Sequence, residues 1–222
     1  MSLEHELPFD KKELTEFEDK RPEWLKGRPA VLSDRDILRL IEEGEIKITP
    51  EPDWKDALNS NRIDLLLGEK FARFDYTKLD CIDVSKPVPE VALIRSWVPK
   101  DGRIIIPPQE LILAGTEEII ELPDYLVGRL EGKSSVARHG IRVEAAPWFD
   151  AEWEGNAAME IINQGRVPVS VIVGMPICSF SFLQLSSPAI LKYVQQENAR
   201  YRYQSGPEPG RTDLQLGGGR ES

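Results

Sequence analysis

The sequence predicts a mainly β domain, a sandwich or barrel with a few short helices. Two observations carry that prediction. Short apolar or alternating runs succeed one another from Ile63 onward, at residues 63–67, 71–74, 103–106, 118–122, 169–173 and 177–182. Turn residues divide them: Pro107-Pro108, Gly115, Pro123-Asp124, Asn163-Gln164-Gly165 and Gly174. Many short strands at such spacing make a sandwich or barrel rather than βαβ units.

The elements follow in order. Residues 1–30 are charged, Pro-containing and weakly periodic, which predicts an arm that orders on contact or a flexible extension. Ser33-Asp34-Arg35-Asp36 has the form of a capping box with Asp as its acid. It opens a short helix with Ile37, Leu38, Leu40 and Ile41 inward, and Gly44 ends it. Ile46-Lys47-Ile48 alternates as a strand does, and residues 49–62 are expected to form a polar loop. After the strand-rich middle, residues 193–222 are polar and rich in Gly, Gln and Arg, as expected of a mobile tail after a short ordered stretch.

Composition removes several classes of function. The apolar fraction of 41% suffices for one real core, so 222 residues fit one large domain with appended tails. No apolar run approaches a membrane span and the N-terminus is charged, so a soluble, cytoplasmic protein without membrane partners is expected. A net charge of −10 argues against a broad nucleic-acid-binding surface, and an anionic small ligand would need a local basic pocket. Cys81 and Cys178 lie far apart and are expected to be buried small apolar residues. Only His5 and His139 are present, and no His/Cys cluster has metal-ligand spacing. The zinc-hydroxide route of nucleobase deamination is therefore closed, and any general base must be a carboxylate.

Three segments carry candidate chemistry. Residues 128–138 place Lys133, Ser134, Ser135 and Arg138 within six residues of Gly132. Glycine admits a close ligand, Lys133 and the nearby N–H groups suit phosphate, and Arg138 can fork onto anionic oxygens. If the chain coils after Gly132, Ser134 and Arg138 stand at i and i+4 on one face; the alternative is a polar turn with a solvated Lys and Arg. In the second segment, Ala145, Ala146, Pro147 and Trp148 suit a wall for a planar ring, and Asp150 suits a sugar hydroxyl or a water. The competing reading is a hairpin whose aromatics pack into the barrel. In the third, strand alternation puts Ala158, Glu160 and Ile162 on one face, with Met159 and Ile161 on the other. A carboxylate among apolar neighbours has a raised pKa, as a proton shuttle requires; the alternative is an edge-strand Glu facing water.

Taken in order, these blocks resemble the dCTP deaminases of the dCTP deaminase/dUTPase superfamily. The likeness begins at residues 31–37 and 63–68 and continues through 128–140, Trp148-Phe149-Asp150, Trp153-Glu154-Gly155 and Glu160. Pro188-Ala189, Tyr193 and residues 200–207 complete it. The resemblance implies a distorted β-barrel or jelly roll over residues 31–192, with 193–222 as closing segment and tail and 1–30 outside. It also implies a homotrimer with sites between subunits, and Mg²⁺ carried by the nucleotide triphosphate rather than by protein ligands. Ser134, Arg138 and Glu160 occupy the family's catalytic positions, and the Ala146 backbone holds the nucleophilic water and reads the base edge. Lys133 stands where the family usually has a phosphate-binding Arg, Ser135 is the neighbouring phosphate contact, and Asp150 meets the 3′-hydroxyl. Tyr193, Arg200 and Gln204 match a segment that closes over sugar and phosphates.

The implied activity is hydrolytic conversion of dCTP to dUTP and ammonia. The competing activities are a dUTPase, a bifunctional deaminase and dUTPase giving dUMP and diphosphate, and a non-catalytic nucleotide sensor. The chain departs from the family's His-x-Thr-Ala at Val143-Glu144-Ala145-Ala146, in a segment one residue shorter, and carries Arg62 and Glu152 where Ser and Gly are usual. The 143–146 departure bears on base recognition and on feedback by thymidine nucleotide.

Overall fold

Most of the apolar runs of the sequence assemble into one large antiparallel sheet that curls on itself, and the runs at 103–106 and 169–173 pair apart from it. The computed structural model describes residues 21–27, 30–97, 101–146, 148–190 and 206–210. Helix α1 (Asp34–Glu42) is capped by Ser33, whose hydroxyl accepts from the Asp36 N–H at 3.4 Å. It ends where Gly44 takes a φ of +76°. Ile37 and Leu40 are fully buried, whereas Leu38 and Ile41 are half-buried, so the inward stripe is narrower than the sequence predicts.

The strands are β1 (Lys47–Thr49), β2 (Leu58–Asn59), β3 (Arg62–Phe74), β4 (Leu93–Trp97), β5 (Arg103–Ile106) and β6 (Leu111–Glu121), then β7 (Leu126–Gly132), β8 (Ile141–Glu144), β9 (Glu154–Asn163), β10 (Val169–Ile172) and β11 (Pro176–Gln184). Two further short helices are α2 (Trp54–Ala57) and α3 (Ser134–Ala137). The main sheet runs β7-β11-β3-β6-β9-β8, with β1 on β6 and with β2 and β4 on β3; β5 and β10 form a separate pair. Its two end strands come together where Gly132 of β7 backs onto Val143 of β8. A Cβ on Gly132 would lie 2.9 Å from the Val143 Cβ, so a glycine there lets the barrel nearly close.

Several expectations change. The two runs at 63–67 and 71–74 are one strand, β3, which bends through a register shift between Leu67 and Phe71. Gly115 lies inside β6 instead of ending it, opposite that bend. A Cβ on Gly68 would meet the carbonyl oxygens of Gly115 and Thr116 at 2.9 Å, so the two backbones approach through glycine. The polar loop at 49–62 contains α2, capped by Asp53, and β2. Cys178 is buried, but Cys81 is exposed in an irregular segment.

The end of the N-terminal arm is built into the domain. Leu25 joins the core, the Gln184 amide donates to the Leu25 carbonyl at 3.1 Å, and Arg21 donates to the carbonyls of Leu185 and Ser186. An arm can order only against apolar partners, and Trp24 and Leu25 supply them. Beyond 190, Gly206 lies against the Lys70 side chain and Pro207 is buried. Among the described residues, no helix is long and apolar enough to cross a membrane.

Candidate active site

The α3 turn follows directly from β7. Lys133 is extended at its N-cap, Val136 anchors it in the core, and the Arg138 N–H donates to the Ser134 carbonyl at 3.1 Å. Ser134 and Arg138 thus share a face, and Arg138 Nε donates to Ser134 Oγ at 3.5 Å. Ser134, Ser135 and Arg138 are all exposed. The turn closes with Gly140 at a φ of +87°, whose carbonyl accepts from the Gln164 N–H at 2.8 Å, which ties α3 to the end of β9.

Lys133 differs from its sequence expectation. Its ammonium does not stand free beside the turn but pairs with Asp64 of β3. That carboxylate is only 8% exposed and also accepts from Ser179 Oγ of β11 at 2.6 Å. Burial pushes the Asp64 carboxyl up, but hydrogen bonds from Lys133 and Ser179, together with the lysine's charge, outweigh it and hold the group below its ordinary value. An unpaired anion in this wall would be costly, which is why the lysine is drawn inward. The pair fixes the N-terminal end of α3 to the barrel.

The 145–153 loop divides its aromatics between the two readings. Phe149 and Trp153 pack inside, with ring centroids 4.6 Å apart, and Phe149 stacks tilted on Phe180 at 5.2 Å. Trp148 remains 48% exposed, and Ala146 is exposed too. Phe149 exchanges backbone hydrogen bonds with Gly128 at 2.8 and 2.9 Å, and this seats half-buried Asp150 beside β7. A Cβ on Gly128 would lie 2.0 Å from the Phe180 ring. Gly128→Ala is expected to destabilise the protein by about 2 kcal/mol through overpacking. A fall in urea midpoint at unchanged slope checks it.

Glu160 sits on the outward face of β9 with half-buried Ala158 and Ile162, while Met159 and Ile161 are buried beneath, as the alternation predicts. Its cross-strand neighbours are Leu113 of β6 and Glu144 of β8. Burial pushes the Glu160 carboxyl above its ordinary range, and the nearby Glu144 charge adds to the rise. Glu144 pairs with Arg142 on its own strand.

Two half-sites result. The α3 turn carries Ser134, Ser135 and Arg138, and the outward face of β8 and β9 carries Glu160. Among the described residues, no hydrogen bond or ion pair joins Glu160 to Ser134 or Arg138 within one chain. Tyr193, Arg200 and Gln204 lie outside the described residues. Among the described residues, no group of three or more His, Cys, Asp or Glu is gathered as a metal ion would require. The sequence reading gave no role to Asp64, although a carboxylate inside the apolar run Ile63-Asp64-Leu65 is itself a signal. It also gave none to Glu144, whose partner only strand register reveals.

Fold and site together mark the protein as a nearly closed antiparallel barrel with a glycine-led helical turn at one end. Residues 31–185 match the family model described as dCTP deaminase-like, and the chain belongs to that family. It is 45% identical over 188 residues to the dCTP deaminase of Thermomicrobium roseum, covering 84% of this chain and 95% of that one. It is 36% identical over 185 residues to the "dCTP deaminase, dUMP-forming" of Dictyoglomus thermophilum, covering 83% and 95%. The crystal structure of 2′-deoxycytidine 5′-triphosphate deaminase from Agrobacterium tumefaciens shares the fold, with a TM-score of 0.56 at 19% identity. That match covers 70% of this chain, which spans about half (48%) of the other.

Proposed function

We propose that the protein hydrolyses dCTP to dUTP and ammonia, with Glu160 as the proton carrier. The observation that carries this reading is a glutamate on a largely apolar barrel face, its proton affinity raised by burial, in a chain of this family. A water held by Ser134 Oγ and the Ala146 carbonyl gives a proton to Glu160, and the hydroxide attacks C4 of the cytosine. Glu160 returns the proton to the departing amine. As the C4 carbonyl forms, Glu160, again ionised, takes the remaining hydroxyl proton and passes it to N3, so that one of the water's protons ends on ammonia and the other on N3 of the uracil ring. Arg138 keeps Ser134 in place and stabilises the developing oxyanion.

The remaining candidates bind. Ser135 and the turn's N–H groups receive phosphate oxygens, Asp150 takes the 3′-hydroxyl, and Trp148 walls the ring. Lys133 acts through its pairing with Asp64, by holding the turn still. Tyr193, Arg200 and Gln204 close over sugar and phosphates, and Mg²⁺ arrives with the triphosphate. Because Glu160 meets neither Ser134 nor Arg138 in one chain, the reading calls for a second copy to supply the α3 turn, as in a homotrimer with sites between subunits.

A second reading has one supporting observation: some relatives, such as that of Dictyoglomus thermophilum, are named dUMP-forming. Incubation with Mg²⁺ and either dCTP or dUTP separates the readings. Ammonia from dCTP without diphosphate from dUTP is the expected result. Both products together mark the bifunctional enzyme, diphosphate from dUTP alone a dUTPase, and binding without turnover a nucleotide sensor.

A further inference from the structure

The departure from the family pattern at Val143-Glu144-Ala145-Ala146 acquires a place in the fold once the register is known. Glu144 lies directly across the β8–β9 ladder from Glu160. Directly opposed residues of antiparallel strands share a face, with Cβ atoms about 4.5–5.5 Å apart. Two carboxyl groups therefore stand side by side on the face assigned to the reaction. Their surroundings differ. Glu144 is the more exposed and is paired with the Arg142 guanidinium, whereas Glu160 is half-buried with Ala158, Ile162 and Leu113 around it. A like charge this close makes the less solvated member of the pair harder to ionise.

We propose that Glu144 is a positioning residue for the proton transfers of Glu160, a fixed neighbouring charge that favours the proton-carrying form of the shuttle. This rests on the proposed deaminase reading and deepens it. The groups facing Glu160 are few. From β8 they are Glu144 and Arg142, the latter opposite Ile162. From β6 they are Leu111, Leu113 and Gly115, none of them charged. On β3, beyond β6, Ala72 lies across from Leu113, with Lys70 two residues earlier. Glu144 is thus the one anion presented to Glu160 by the strands that flank it, and burial and the Glu144 charge act in the same direction on the Glu160 carboxyl.

The test is the pH dependence of kcat/KM for ammonia release from dCTP in wild type, Glu144→Gln and Glu144→Lys. The acidic limb reports the ionisation that lets Glu160 accept a proton from water. Removing a negative neighbour makes Glu160 easier to ionise, so the limb moves to lower pH, by about one unit for Gln. It moves further for Lys, with KM for dCTP changed less than the limb. A merely structural role would not grade the limb with the charge at 144. An unmoved limb in both variants overturns the proposal, and so does loss of ammonia release at every pH in Glu144→Gln. Glu160→Gln serves as the separate control. If it keeps turnover within tenfold of wild type, the assignment of Glu160 as proton carrier falls; if it does not and the 144 series leaves the limb in place, only the role of Glu144 falls.

Discussion

Glu160→Gln is expected to lower ammonia release from dCTP by about 10³-fold or more while leaving nucleotide binding nearly intact. The substitution keeps the size of the side chain and its place on β9 between Leu113 and Glu144. What it removes is the ability to take a proton from water and return it to the leaving amine. General acid–base catalysis by one positioned group is worth roughly 10²–10⁴-fold, and in the proposed mechanism the same group serves both transfers. Stability should change little, because the wild-type carboxyl gains nothing from burial and a neutral amide removes the repulsion from Glu144. Single-turnover assays of ammonia, with dCTP binding measured by calorimetry, check the split. Turnover within tenfold of wild type would remove Glu160 from the mechanism.

The strand pattern and the outward face of β9 that carries Glu160 were legible because both depend on local periodicity. Residues 158, 160 and 162 alternate with 159 and 161, and no tertiary information is needed to sort them. The α3 turn was legible for the same reason, since Ser134 and Arg138 are separated by one helical turn. What local pattern could not give is pairing across long sequence separations. Lys133 finds its partner Asp64 on β3, 69 residues away, and so becomes a structural cation before it can be a free phosphate ligand. The bend in β3 reads as an interruption in the sequence because the polar residues Glu69 and Lys70 separate the apolar runs 63–67 and 71–74. It is a bulge that only the close approach to Gly115 and Thr116 explains. Glu144 was visible as a departure, but its meaning depends on the β8–β9 register. Part of the N-terminal arm likewise belongs to the barrel because Leu25 and Arg21 meet residues 184–186, at and just beyond the end of β11.

The same bulge produces the largest expected effect on stability. Glu118 of β6 is 1% exposed, and its carboxyl accepts from the Leu66 N–H at 3.0 and 3.2 Å. Around it, the Asn156 amide donates to the carbonyls of residues 116, 117 and 118, and the Thr116 hydroxyl donates to the Glu118 carbonyl at 2.9 Å. Burial pushes the Glu118 carboxyl up to about 7, against the lowering effect of these backbone N–H contacts. In the unfolded chain the group returns to its ordinary value near 4.5. Between those two values the native state holds the extra proton, so stability falls as pH rises through the window and levels off above it. The full difference corresponds to about 3 kcal/mol. Glu118→Gln keeps an oxygen for the Leu66 N–H and carries no titrating group. It is therefore expected to flatten the decline between pH 5 and 7.5 and to exceed wild type by up to about 3 kcal/mol at pH 8. Urea unfolding at pH 5, 6.5 and 8 measures this. Parallel pH dependences in the two proteins would mean that the carboxylate is solvated in the native state, and that the bulge holds an ordinary charge rather than a protonated one.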